Sequence, residues 1–114
     1  MKTYRHLLAS GTLIGDKVVN QQNEDIGKIE ELMISVEEGR VSYAVMSFGG
    51  FLGFGNKFFA VPWATLHVDE NNKCFVINVD KERLKEAPGF DKDHWPDMTP
   101  EWAAEINTFY KFTP

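Results

Sequence analysis

The chain has 114 residues, of which 43% are hydrophobic and 25% are charged, so its length and composition fit one globular domain. Its formal net charge of −5 argues against a nucleic-acid binder, because phosphate contacts need clustered lysine and arginine. No apolar stretch approaches the ~20 residues of a membrane span. The apolar run after the basic start is too short for a signal peptide. We therefore expect a soluble, cytoplasmic protein.

Residues 1–12 are predicted to form a loose N-terminal arm, and short strands separated by polar turns follow it. Alternating apolar residues and turn residues predict about six strands. These strands cover residues 16–20, about 27–36, 41–48, 57–61, 65–69 and 74–79. Since no crossover helix separates them, the pattern is typical of a small closed or nearly closed antiparallel β-barrel.

Four local features add detail to these strands. The pair Glu30-Glu31 interrupts the alternation of the second strand and suggests a β-bulge. Gly39 lies in the next hairpin turn and is free to take a positive φ. Pro62 has no amide hydrogen and marks an edge, a bend or a strand end. Cys74, the single cysteine, opens an apolar run and is expected to be a half-buried packing residue.

The third strand is apolar on both of its faces. Val41, Tyr43 and Val45 alternate with Ala44 and Met46. A strand with one solvated face would be polar on that side. We therefore expect one face to line the core and the other to meet a second layer, which is a helix or another subunit.

Helical patterns replace the strand pattern after residue 80. Asp80 is placed to cap a helical turn over residues 81–87. Thr99 and Pro100 have the residue types of an N-cap and a first helical position. The helix that follows has one apolar stripe, formed by Trp102, Ile106, Phe109 and Tyr110. A helix of about eleven residues is marginal alone, so we expect it to dock on the barrel of its own chain or of a partner. We divide the chain into an arm (1–12), a barrel domain (13–80) and a C-terminal α-helical extension (81–114).

Residues 49–55 read GGFLGFG and raise the question of a phosphate-binding loop. Gly50 and Gly55 have the spacing of a Walker loop, but Asn56 stands where that loop has lysine. A strand follows instead of a helix, so no helix N-terminus faces a phosphate. We interpret the segment as a long hairpin connection, and we call residues 49–56 the glycine–phenylalanine loop.

The apolar side chains of this loop allow two interpretations that are compatible with each other. They either cover the open end of the barrel or form a contact for another chain, since contiguous exposed apolar patches usually mark interfaces. A dimer partner that completes the cover would satisfy both. The candidate partner-binding residues are Phe51, Leu52 and Phe54, with Met46, Phe48 and Phe58 nearby.

Three segments resemble the PRC-barrel domain, a family named for the photosynthetic reaction centre H subunit. They are LIGDKVVNQQNEDIGKIEELMI, GRVSYAVMSFGGFLGFGNKFFAVPW and FVINVDKERLKEAPGFDKDHWPDM. A related domain lies at the C-terminus of the ribosome maturation factor, and the second and third segments are similar to small stand-alone bacterial members. The resemblance runs from Leu13 to Pro96. It implies a small β-barrel of about six strands and a non-enzymatic module that docks onto proteins or RNA–protein assemblies.

Two groups of polar residues are candidates for a metal site or a docking site. Asp91, Asp93 and His94 are candidates for a transition-metal site. The alternative is a solvated loop held by Trp95 and Pro96, and these two residues also break the calcium-loop pattern. The second group is acidic and forms either a solvated face or a docking surface for a basic partner. It comprises Glu24, Asp25, Glu30, Glu31, Glu37 and Glu38.

No catalytic motif is apparent in the sequence. No serine lies in a nucleophile elbow, and His67 is expected on the polar face of a strand. We predict a non-enzymatic adaptor without a cofactor that self-associates, with a dimer favoured. It would dock to an unknown protein partner through the glycine–phenylalanine loop and the barrel surface. The alternative is an RNA- or ribosome-associated assembly factor, although the acidic charge disfavours direct contact with nucleic acid.

Overall fold

A computed structural model describes residues 7–49 and 57–113 of the chain, and seven strands lie in that part. The strands are β1 (Lys17–Asn20), β2 (Asp25–Ser35), β3 (Arg40–Phe48), β4 (Lys57–Pro62), β5 (Leu66–Asp69), β6 (Cys74–Ile77) and β7 (Phe90–Asp91). The helices are α1 (Ser10–Leu13), α2 (Lys81–Leu84) and α3 (Pro100–Phe109), with a 3-10 turn at Trp63–Thr65. The strands form one sheet in the order β5-β6-β1-β2-β3-β4-β7.

The sheet differs from the predicted one in strand number and in one strand direction. The six predicted strands are present, and β7 is a seventh, so the predicted count is one too low. β7 has only two residues, which is too short to show a periodic pattern, and it pairs with Lys57 and Phe58 of β4. β1 and β6 run parallel, with Val18 opposite Phe75, so the all-antiparallel prediction is wrong for this pair.

The sheet is strongly curled but is not closed into a barrel. Its order begins at β5 and ends at β7, and these two strands do not pair in the described part of the chain. Across a flat sheet β4 and β5 would be about 24 Å apart, at about 4.8 Å per neighbouring strand. The chain from Pro62 to Leu66 spans at most about 15 Å. The short connection therefore forces β4 and β5 towards each other and wraps the sheet around one core.

Three of the local predictions are confirmed. The β2–β3 register shifts between Ile29 and Glu31, which identifies Glu30 as the extra residue of a bulge. Gly39 has a φ of +66°, and its amide donates to the Ser35 carbonyl at 2.7 Å. Pro62 is the last residue of β4, where the chain turns into the 3-10 turn.

The main core lies between the curled sheet and the helices. Side chains with no exposed surface come from five strands and from α2, and they include Val18, Ile26, Ile29, Met46, Val61, Phe75, Ile77 and Leu84. Burying each large side chain contributes about 1.5–3 kcal/mol relative to leaving it exposed. Cys74, 4% exposed, is more deeply buried than predicted.

The C-terminal helix docks on this core through the predicted stripe. Ile106 and Tyr110 are buried in the main cluster, and Trp102 and Phe109 pack against it. The Thr99 hydroxyl accepts a hydrogen bond from the Trp102 amide at 3.1 Å, which confirms the N-cap. Asp80 occupies the predicted N-cap position of α2. Its side chain accepts no hydrogen bond from the first turn, so the predicted capping interaction is wrong.

The second face of β3 meets a layer formed by the same chain. Val45 packs with Ala60 and Phe90, and Tyr43 and Trp102 pack against this smaller cluster. The prediction of a second layer is confirmed, and β7 and α3 supply that layer. Within the described ranges, no helix is long and apolar enough to cross a membrane.

Candidate interaction surfaces

The predicted partner-binding residues fall into three environments. Phe51, Leu52 and Phe54 lie outside the described residues. Met46 has no exposed surface and Phe48 is 5% exposed; the Phe48 ring stacks on Phe59 with centroids 4.1 Å apart. These two side chains fix the end of β3 from which the glycine–phenylalanine loop departs, and their burial leaves little surface for a partner to touch.

Phe58 belongs to a group of aromatic rings at the other end of that loop. Its ring centroid lies 6.3 Å from those of Phe90 and Trp95, and the Phe90 and Trp95 centroids are 5.1 Å apart. We call these three residues the aromatic cluster. Phe90 is buried and Phe58 half-buried, whereas Trp95 is 41% exposed. The cluster therefore presents an aromatic surface beside the start of β4.

Backbone pairing and a close approach at a glycine assemble the aromatic cluster. β7 places Phe90 opposite Phe58. Just before β7, a Cβ on Gly89 would lie 2.5 Å from the Phe59 ring, so only glycine fits at this approach. The Trp95 indole nitrogen donates to the Lys92 carbonyl at 3.0 Å and fixes the orientation of its ring. The sequence showed Trp95 as a loop anchor, but its contact with Phe58 depends on the unpredicted strand β7.

The candidate metal ligands Asp91, Asp93 and His94 contact one another within their own loop. Asp91 Oδ1 accepts a hydrogen bond from the Asp93 amide at 2.8 Å and lies 3.7 Å from His94 Nδ1. The amide hydrogen bond, with His94 nearby, lowers the pKa of Asp91 below its ordinary value. In the described ranges, no three histidine, cysteine or carboxylate side chains come together as a metal site. The Asp91–His94 segment instead forms the turn that positions Trp95.

The acidic residues do not form one uniform free surface. Asn20 Nδ2 donates to Glu24 at 2.7 Å, Ser47 Oγ donates to Glu30 at 2.6 Å, and Arg40 pairs with Glu38 at 3.5 Å. These three carboxylates stabilise a turn, a strand pair and a hairpin. Glu37 is exposed, and no cation within 4.0 Å of it is found among the described residues.

A groove of about 580 Å³ lies at the other end of β3, next to the β2–β3 hairpin. Arg40, Val41 and Ser42 form one wall, and Trp63 and Phe112 line it from other elements. This volume is in the range of small-ligand and peptide sites. We call it the β3 groove. The sequence does not predict this groove, because the residues that line it come from segments at least twenty residues apart.

Comparison with family models supplies the identity. The model described as PRC-barrel domain matches residues 7–84, more than half of the chain. The chain belongs to the PRC-barrel family. This confirms the resemblance carried by the sequence segments. A comparison with curated proteins found no match.

PRC-barrel domains are non-catalytic modules of protein interaction and assembly. In this PRC-barrel protein the match ends at Leu84, yet β7 and α3 lie beyond it and pack on the same sheet. Phe90 and Trp95 of the aromatic cluster, and Asn107 and Phe112 of the β3 groove, therefore follow the matched region.

Proposed function

We propose that this PRC-barrel protein is a cytoplasmic, non-enzymatic adaptor that self-associates, with a dimer favoured, and docks onto a partner protein. The contact surface is the glycine–phenylalanine loop together with the aromatic cluster. A reducing compartment suits the chain because Cys74 is a free and buried thiol.

The exposure of Trp95 carries this proposal. Trp95 is 41% exposed and its ring packs edge-on against Phe58, so it presents an apolar surface that a partner can cover. Tryptophan is enriched among the residues that dominate binding energy at protein interfaces. The loop that contributes Phe51, Leu52 and Phe54 ends at residue 56, two residues before Phe58, so these apolar residues are close along the chain.

Self-association is tested by light scattering over a range of concentrations. We expect a mass approaching twice the chain mass of 13.0 kDa as concentration rises. The double substitution Phe51→Ser, Phe54→Ser should return the mass to that of one chain, and Trp95→Ala should weaken association. Circular dichroism checks that each variant retains the sheet.

A matched control uses apolar residues that are exposed at the opposite end of β3. Ile34 is 59% and Val36 93% exposed, and Ile34 lies opposite Val41, about 25 Å along β3 from the start of the loop. Ile34→Ser, Val36→Ser should leave the mass unchanged. A strictly monomeric wild-type chain at several hundred micromolar would reject self-association. An unchanged mass in the Phe51→Ser, Phe54→Ser variant would reject the loop as its interface.

A further inference from the structure

The outer edge of β3, on the side away from β2, is paired over only part of the strand. β3 runs from Arg40 to Phe48, but β4 pairs with it only from Tyr43 to Met46. In the described part of the chain no strand pairs with the outer edge of residues 40–42. An unpaired strand edge presents backbone N–H and C=O groups that can pair with another chain.

Pro62 explains why the pairing stops at this point. It lies opposite Tyr43 and has no amide hydrogen to donate. The next residues leave the line of the strand in the 3-10 turn, where the Thr65 hydroxyl donates to the Pro62 carbonyl at 2.8 Å. β4 therefore bends away and leaves the β3 groove beside the free edge.

Aromatic side chains and a tethered helix give this groove a defined shape. The Trp63 ring is half-buried and packs edge-on against Phe75, with centroids 5.7 Å apart. Phe112 is half-buried and follows α3. The Tyr43 hydroxyl donates to Asn107 of α3 at 3.2 Å, which joins the helix to β3. An incoming chain therefore meets walls that are already in place, which lowers the ordering cost of binding.

The charge at the rim favours a basic occupant. Arg40 is paired with Glu38, so the exposed carboxylate of Glu37, the preceding residue, leaves this turn net negative. The whole chain carries a formal charge of −5, which disfavours insertion of an equally acidic second copy.

We propose that the β3 groove binds an extended, basic segment of a partner protein, which adds as a strand to the outer edge of Arg40–Ser42. An apolar side chain of that segment contacts Trp63 and Phe112, and a lysine or arginine lies near Glu37. Strand addition gives affinity through backbone hydrogen bonds and specificity through alternate side chains. The inference rests on the proposed adaptor function and names the chemistry of the partner, at a surface separate from the self-association interface.

The probe is a fluorescein-labelled peptide of alternating lysine and valine with one central phenylalanine. We expect saturable binding by fluorescence anisotropy, and amide shifts at Val41 and Ser42 in NMR spectra. Two N-methylated versions test strand addition, because alternate amides of a strand point to opposite edges. Methylation of one alternate set should abolish binding, and methylation of the other should leave it intact. A peptide with glutamate in place of lysine should bind at least about tenfold more weakly.

Two sets of substitutions locate the site. Phe112→Ala should weaken peptide binding at least about fivefold, the effect of losing an interface contact worth ~1 kcal/mol. Glu37→Lys, Glu38→Lys changes only exposed side chains and should also weaken binding without unfolding the chain. Trp95→Ala is the control: it lies in the aromatic cluster and should leave peptide binding unchanged.

The outcomes separate this inference from the proposed function. Phe112→Ala should reduce peptide binding and keep the light-scattering mass, and Trp95→Ala should do the reverse. No binding at 1 mM peptide to folded protein, or equal binding of the two N-methylated peptides, would overturn strand addition whatever the oligomeric state. A fall in the bound fraction of the peptide as the concentration of the chain is raised would show that a second copy fills the groove, which also overturns the inference.

Discussion

The Tyr43 hydroxyl donates a hydrogen bond to Asn107 Oδ1 at 3.2 Å and joins β3 to the C-terminal helix. The same ring contacts Trp102 edge-on, with centroids 5.4 Å apart, so Tyr43 adds one polar and one aromatic contact to the docking of the helix. Tyr43→Phe keeps the ring and removes the hydrogen bond. We expect the free energy of unfolding to fall by about 0.5–1.5 kcal/mol, as measured by urea denaturation. A variant as stable as the wild type would show that this bond does not hold the helix.

Tyr110→Phe should affect stability in the opposite direction from Tyr43→Phe, although both substitutions remove one phenolic hydroxyl. Tyr110 is 6% exposed, and its hydroxyl has no hydrogen-bond partner among the residues that the structure describes. A buried polar group without a partner is destabilising, so its removal should leave the free energy of unfolding unchanged or raise it by up to about 1 kcal/mol. A loss of stability comparable to that of Tyr43→Phe would contradict this assignment.

The free energy of unfolding should decline at alkaline pH, because the folded chain keeps buried tyrosine and cysteine side chains protonated. Burial raises the pKa of Tyr110 strongly and outweighs the nearby charge of Arg83. Burial also raises the pKa values of Tyr43 and Cys74. In the unfolded chain these groups ionise near pH 10 for tyrosine and pH 8.5 for cysteine, by approximate reference values.

The sign follows from proton binding. Above the unfolded pKa the folded state retains more protons, so the free energy of unfolding falls as pH rises. Below about pH 8 these groups make their full contribution to the free energy of unfolding. The contribution of the tyrosines is lost progressively above about pH 10. Urea denaturation between pH 7 and 11 measures the decline, and Tyr110→Phe should make it shallower. An equally steep decline in that variant would exclude Tyr110 as a source.

The features that could be predicted from the sequence are those with a local cause. The Glu30 bulge interrupts a period of two, and the positive φ of Gly39 belongs to a short hairpin turn. The stripe from Trp102 to Tyr110 follows the helical period. Each depends on residues within one element, so a pattern along the chain is sufficient to identify it.

The remaining features depend on residues that are far apart in sequence. The parallel pairing of β1 with β6 joins Val18 to Phe75, and no local pattern specifies such a partner. The aromatic cluster needs the two-residue strand β7, and the β3 groove needs Pro62 to turn β4 away from the edge beside Val41. The sequence therefore predicted the elements better than it predicted the surfaces between them.

Gly27→Ala should be among the most destabilising single substitutions in the sheet. Gly27 lies opposite Phe48 in the β2–β3 pair, and a Cβ at this position would be 1.9 Å from the Ser47 carbonyl oxygen. The clash is with backbone, so a side-chain rotation cannot relieve it and the end of β3 must move. That end is also held by the Gly49 amide, which donates to the Ile26 carbonyl at 2.7 Å.

We expect Gly27→Ala to lower the free energy of unfolding by about 2–3 kcal/mol, the upper part of the usual range for single substitutions. Gly11→Ala in α1 is the matched control, because nothing lies within 4 Å of a Cβ there and alanine is the better helix former. Urea denaturation of both variants measures the difference. If Gly27→Ala is as stable as Gly11→Ala, the strands do not approach closely at Gly27, and β3 is not held in this register where the glycine–phenylalanine loop begins.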